Sequence, residues 1–494
     1  MKIERSSGIL LHPTSLPGKY GIGSLGKSAF GFVDFLHKAG QKLWQVLPMG
    51  HTGYGDSPYQ CFSVFAGNPI IIDIDLLFKD GFLKRRDFLE MPTFSEEKVN
   101  YGKVIYFKEK MLKLAFQRFD EKKDYNTVDY QVFVNNNQEW LKEYAIFIAL
   151  KDRFGGKPWW EWPEEFKLRQ PDVLEKFIAS SKNEISYHQF VQYHFYKQWS
   201  ELKRYANKKN IKIIGDIPLY VAHDSSDVWS NHQLFQFTSD RQPIAVAGVP
   251  PDYFSQTGQL WGNPLYNWDY MKKNNFNWWI ERVKSSFKLF DYVRIDHFRG
   301  LESYWSVPFG EKTAINGKWV TAPGDQLFEA IRNKLGDLPI IAEDLGVITP
   351  EVDNLRLKYD FPGMKILQFA FHSDDGQKYL PHNYSENFIV YTGTHDNDTL
   401  AGWFRSLDKS VRRRVLFYTD ANTKTINRIM IRLAWSSVAK LAVIPLQDLL
   451  ELGTEARMNV PGTLGGNWQW RLKKNQLKRK HSAWLAKITK IYNR

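Results

Sequence analysis

The sequence predicts an α/β protein, a (β/α)8 barrel carrying a largely helical inserted subdomain and long active-site loops. Three observations lead there. Eight short apolar runs recur along the chain and end in polar, Gly or Pro residues. Helical periodicity fills several of the gaps between them. Carboxylates stand just after several of the runs, where a barrel of parallel strands gathers its chemistry. An open doubly wound sheet shares this alternation and remains the alternative at this level.

In chain order the runs are 8–11, 43–47, 211–214, 292–295, 338–342, 364–369, 388–391 and 441–445. Apolar residues spaced three and four apart predict helices over 27–39, 188–208, 277–290 and 324–335. The stretch 73–186 falls between the second and third strands. It is rich in Lys, Glu, Phe and Trp and reads as the inserted, mostly helical subdomain. Residues 241–268 read as a long active-site loop. Residues 471–494 read as a basic C-terminal helix, with Leu477, Trp484, Leu485, Ile488 and Ile491 on its apolar side. The whole of 1–494 is expected to be one catalytic barrel rather than separate domains.

A chain of 494 residues with 43% hydrophobic and 24% charged side chains can bury a large core, which excludes disorder as its main state. The single Cys61 excludes an internal disulfide and a Cys-based zinc cluster, and reads as a buried structural thiol. The opening residues lack a signal-peptide core, and no run approaches the roughly 20 apolar residues of a membrane span. The expectation is a cytoplasmic protein without a membrane partner. Two further features compete. Aromatic residues reach 15%, which suits stacking on sugars or bases, and the net charge of +13 points toward nucleic acid. The charge is concentrated, however: 471–494 holds nine Lys and Arg and no acid. That reads as a solvated basic helix, and no nucleic-acid partner is expected.

Competing motifs fail in context. Gly21-Ile22-Gly23-Ser24-Leu25-Gly26 matches the dinucleotide fingerprint as a bare pattern. Pro13 and Pro17 separate it from the preceding strand, and the ribose-binding acid is missing after the next one. No cofactor is expected. The twelve His lack metal spacing and Asp374-Asp375-Gly376 is too short for a calcium loop, so no metal is expected.

Three carboxylates remain. Asp296 closes Tyr292-Val293-Arg294-Ile295-Asp296, where alternation puts Arg294 and Asp296 on one face. A fixed guanidinium keeps such a carboxylate ionised and suited to nucleophilic attack, although a structural ion pair would look the same. Glu343 follows Ile340-Ile341-Ala342; because Asp344 is adjacent, at most one of the two points into the barrel mouth. A Glu against apolar walls has its pKa raised, as a general acid requires. Asp396 lies in Thr392-Gly393-Thr394-His395-Asp396-Asn397-Asp398, a polar cluster costly to bury unless it binds something. An N-cap by Asp398 accounts for part of it.

Together these carboxylates resemble the constellation of the α-amylase superfamily. His12-Pro13-Thr14-Ser15-Leu16-Pro17-Gly18, the 21–26 turn, Ser57-Pro58-Tyr59-Gln60, Gly215-Asp216-Ile217-Pro218 and above all the 248–266 loop resemble the amylomaltases, the 4-α-glucanotransferases of glycoside hydrolase family 77. The resemblance implies Asp296 as nucleophile, Glu343 as acid/base, and Asp396 as a grip on sugar hydroxyls, assisted by Arg294 and His395. It implies support from Asp216, and a cleft lined by Tyr59, Asp252, Tyr253, Phe254 and Trp261. Its substrates would be α-1,4-glucans and maltooligosaccharides. The family usually carries an acidic residue after the sixth strand, and its equivalent here stays open, as does the oligomeric state. A hydrolase of the same superfamily and an inactive glucan- or nucleic-acid-binding protein are the alternatives.

Overall fold

The computed structural model describes residues 3–251, 255–371, 374–463 and 465–494. Twelve strands are present among them. In chain order they are β1 (Ser6–Leu10), β2 (Leu43–Gln45), β3 (Lys212–Ile217), β4 (Ala245–Val249), β5 (Gln259–Pro264), β6 (Tyr292–Ile295), β7 (Ser303–Pro308), β8 (Lys318–Thr321), β9 (Ile340–Ala342), β10 (Gly363–Ile366), β11 (Phe388–Tyr391) and β12 (Leu441–Pro445).

Eight of these, in the order β10-β11-β12-β1-β2-β3-β6-β9, form one parallel sheet. The amide of Ala342 donates to the Pro362 carbonyl at 2.9 Å, joining the ends of β9 and β10 and closing the barrel. This settles the closed (β/α)8 form over the open sheet. Side chains reach across the lumen between strands that are not neighbours. Tyr391 of β11 donates to Gln45 of β2 at 2.8 Å, and Arg294 of β6 meets the sulfur of Met364 of β10 at 3.4 Å. Val293 and Ile295 alternate outward and pack under the surrounding helices.

The sequence expectation was wrong in three local places. The sixth strand stops at Ile366, and Leu367–Phe371 winds into a 3-10 turn instead of continuing to 369. A four-stranded antiparallel sheet, β5-β4-β7-β8, stands beside the barrel where 241–268 suggested loop alone. The pairing that joins its two halves, Ala245 with Pro308 across β4 and β7, links residues far apart in the chain, so no local pattern announces the sheet. Finally, the C-terminal helix is shorter than 471–494, running over Arg479–Ile491. Arg471 and Leu472 are instead extended, their amides donating to Glu97 and Ser15 carbonyls.

Between β2 and β3 run the helices Ile74–Lys79, Tyr101–Glu121, Val128–Asn136, Gln138–Arg153, Glu164–Lys167 and Pro171–Ser180, followed by the long crossover Lys182–Lys208. Position 186 lies inside that last helix. Asp73 starts the series by accepting from the Leu76 amide and from the Ser24 hydroxyl at 2.6 Å, which ties the first helix to the 21–26 turn. Tyr144, Phe147 and Leu150 of Gln138–Arg153 are buried against Val221, Val228 and Trp229, so the insertion is packed onto the loop that follows β3. Cys61 donates to the Pro58 carbonyl at 3.0 Å, and burial pushes its thiol up to about 12. Among the described residues no helix is long and apolar enough to cross a membrane.

Candidate active site

The carboxyl ends of β3, β6 and β9 place three acidic residues side by side. Asp216 and Arg294 are register partners across β3 and β6, and Ile295 pairs with Ala342 across β6 and β9. Asp296 and Glu343 are therefore the next residues in register on neighbouring strands. Strand spacing of about 4.8 Å brings their carboxyl groups within the range of a nucleophile and acid pair.

Arg294 organises the first half of this group. It donates to Asp216 Oδ2 at 2.6 Å and to Asp296 Oδ1 at 2.7 Å. The Asp216 side chain is fully buried, whereas that of Asp296 is 31% exposed. One guanidinium thus anchors on a carboxylate inside the barrel and holds another at the mouth. Tyr59 adds a hydroxyl hydrogen bond to Asp216 Oδ2 at 2.7 Å. Burial raises the Asp216 pKa and Arg294 opposes it.

Glu343 has a different environment. Its Oε2 accepts from the His297 amide at 2.7 Å and its Oε1 from the Leu345 amide at 3.0 Å, which fixes the carboxyl plane. Burial and then the neighbouring Asp296 push it up to about 8, against the pull of Arg294 and the His297 amide. Asp344 turns the other way, accepting from the Met364 amide at 2.6 Å and pairing with Arg356 at 3.2 Å. Two carboxyl groups in register thus have different surroundings: Asp296 is held by a guanidinium, and desolvation keeps the proton on Glu343.

Asp396 faces them from the segment after β11. Asn459 donates to its Oδ1 at 2.6 Å, His395 Nε2 lies 3.4 Å from the same oxygen, and Arg457 holds its carbonyl at 2.6 Å. The side chain is 44% exposed. His395 stacks on Tyr59 with centroids 5.2 Å apart, and Trp468 approaches both rings at 5.8 and 6.0 Å. The expected N-cap at Asp398 is corrected: Thr399 caps helix Leu400–Ser406 through the Gly402 amide. Asp398 instead accepts from the Thr399 amide and the Thr454 hydroxyl, both at 2.7 Å.

These groups open onto a cleft of about 1220 Å³, lined by Tyr59, Trp261, Asp296, His297, His395, Asp396, Asn459 and Trp468 among others. Trp261 stands on β5, edge-on to His297 at 4.8 Å. The structure therefore brings Tyr59, Asp216, Trp261, Arg294, Asp296, Glu343, His395 and Asp396 to one barrel mouth. Asp252, Tyr253 and Phe254 lie outside the described residues, as do His372 and Ser373 after the sixth strand. Sequence reasoning missed Asn459, Arg457, Trp468 and His297. The only trace of Asn459 and Trp468 was the Gly-rich stretch 459–468 that they frame, and Arg457 lies just before it. His297 takes φ 51° directly after Asp296, a bend that lets its amide face Glu343 and that no composition signal marks.

A family profile for glycoside hydrolase family 77, described as 4-alpha-glucanotransferase, matches residues 11–477. The 4-alpha-glucanotransferase of Synechocystis sp. is 50% identical over 496 aligned positions, covering 99% of this chain and 98% of that protein. That of Clostridium butyricum is 49% identical over 489, covering 98% and 100%. Among solved structures, the amylomaltase from Streptococcus agalactiae in complex with acarbose matches with a TM-score of 0.96 at 44% identity, covering 99% of this chain and 100% of that one.

Proposed function

The chain belongs to the 4-alpha-glucanotransferases of glycoside hydrolase family 77, and we propose that the residues at its barrel mouth move α-1,4-glucan segments by a retaining double displacement. The observation that carries this reading is the asymmetry of two in-register carboxyls, Asp296 ion-paired to Arg294 and Glu343 protonated up to about pH 8.

In the first half, Asp296 Oδ attacks the anomeric carbon, a carbon–oxygen bond forms, and the glycosidic bond to the leaving 4-oxygen breaks. Glu343 gives its proton to that oxygen. The product is a glucosyl ester on Asp296. In the second half, the 4-hydroxyl of an acceptor attacks the same carbon, Glu343 takes the hydroxyl proton, and Asp296 leaves as carboxylate. Arg294 fixes the nucleophile throughout, since its other arm is anchored on buried Asp216. Asp396, steadied by Asn459, is placed to accept hydroxyls of the distorted ring, with His395 beside it. Trp261 and Tyr59 offer faces to neighbouring glucose units. An apolar cleft wall that keeps water from the ester favours the sugar acceptor over hydrolysis.

Incubation with maltotriose tests the reading. Glucose should appear together with maltopentaose and longer products; short sugars alone, with a net rise in reducing ends, would make the protein a hydrolase. Asp296→Asn should lower kcat at least about 10³-fold with an unchanged melting temperature. Near-normal turnover would remove Asp296 from the nucleophile role.

A further inference from the structure

The inserted segment contributes a wall of the cleft that takes no part in the chemistry above. After helix Gln138–Arg153 the chain turns through two glycines into the short 3-10 element Trp159–Glu161. Trp160 is 37% exposed there, yet it lines the same cavity as Asp296 and Asp396. One face of its indole lies on the His223 imidazole, centroids 4.2 Å apart and planes 15° off parallel. His223 is backed in turn by Phe237 at 5.7 Å and by the edge of Trp159 at 5.4 Å. The exposed part of Trp160 is therefore its opposite face and rim.

The ring that Trp160 stacks on is neutral, and the turn that carries Trp160 is held by hydrogen bonds. Burial pulls His223 down to about 4, so its imidazole is neutral at pH 7. Lys151 donates to the Gly156 and Lys157 carbonyls at 3.1 and 3.2 Å, which pins the turn, and to Asp224 Oδ2 at 2.5 Å. The Asp224 side chain is 26% exposed and lines the cavity too. A flat apolar face in a cleft that also carries the Asp224 carboxyl group matches a glucose ring, whose C–H face is apolar and whose rim bears hydroxyl donors. Among the described residues, Trp160 makes no ring contact with Tyr59, His395 and Trp468 or with Trp261 and His297, the rings that flank Asp396 and Asp296.

We infer that Trp160, with Asp224 in the same cleft wall, forms a sugar-stacking site that holds a glucose unit remote from the scissile bond and sets a preference for longer glucans. The inference rests on the glucan-transfer reading, and the test separates the two. Transfer from maltotriose and from maltoheptaose is measured for the unaltered protein, W160A and W160F. Failure of the unaltered protein to form longer products overturns the transfer reading itself. Where it does transfer, W160A should lose roughly 10-fold in kcat/KM on maltoheptaose, mainly through KM, and less than about 2-fold on maltotriose. W160F, with a smaller ring that keeps the His223 stack, should fall between, so misfolding of W160A leaves the test intact. Equal loss on both substrates, or no loss on either, overturns the stacking site.

Discussion

At the scale of single residues, the proposed mechanism rests on the contrast between two neighbouring carboxyls. Asp296 is tied to Arg294, which is itself held by Asp216. Glu343 is half-buried, neighbours Asp296, and keeps its proton up to about pH 8. The proposed acid role requires it to be protonated, so kcat/KM should fall as pH rises through about 8, the apparent value belonging to the interacting pair. A profile flat from pH 6 to 10 would remove Glu343 from the acid role. The same raised value bears on stability. Between its ordinary 4.5 and about 8, the folded protein holds a proton that the unfolded chain releases. Glu343's contribution is thus fully present below pH 4.5 and is lost as pH rises through about 8.

At the scale of elements, β3 shows how a strand end is aimed. Gly215 precedes Asp216, and a Cβ at 215 would lie 2.1 Å from the ring of buried Phe290. The absence of a side chain lets Phe290, at the end of helix Asn277–Leu289, pack flat on the strand and fix its rotation. Gly215→Ala should destabilise the protein by about 1–3 kcal/mol through overpacking and lower kcat, because Asp216 and with it Arg294 shift. Adding Phe290→Leu should recover part of both losses; thermal unfolding and maltotriose turnover read the outcome. If the single variant unfolds at the unaltered temperature, β3 is not positioned by this contact.

Across the whole molecule, the basic excess separates from the substrate cleft. Seven of the nine basic residues in 471–494 are exposed. Arg471 and Arg494 are buried on backbone carbonyls, Arg494 on those of Ser6, Trp435 and Ala439 among others. Replacing Lys478, Arg479, Lys480, Lys487 and Lys490 by Gln should leave transfer within about 2-fold, since rim charges far from a site act mainly through screened fields. Leu485→Ala on the same helix removes a fully buried side chain and should cost about 2–5 kcal/mol, seen as a fall in melting temperature. Severe loss of transfer on charge neutralisation would tie that helix to the substrate. The sequence by itself determined the barrel strands, because apolar runs bounded by Gly, Pro and acids encode burial locally. It also determined Arg294 and Asp296, since alternation along one strand puts both on one face. It marked Glu343 over Asp344 only as a choice of one. Tertiary structure decided the rest: closure of β9 on β10, the antiparallel sheet that carries Trp261, the Asn459 and Trp468 side of the cleft, and the pKa of Glu343. Each of these depends on contacts between residues far apart in the chain, and burial and mutual charge exist only once the chain has folded.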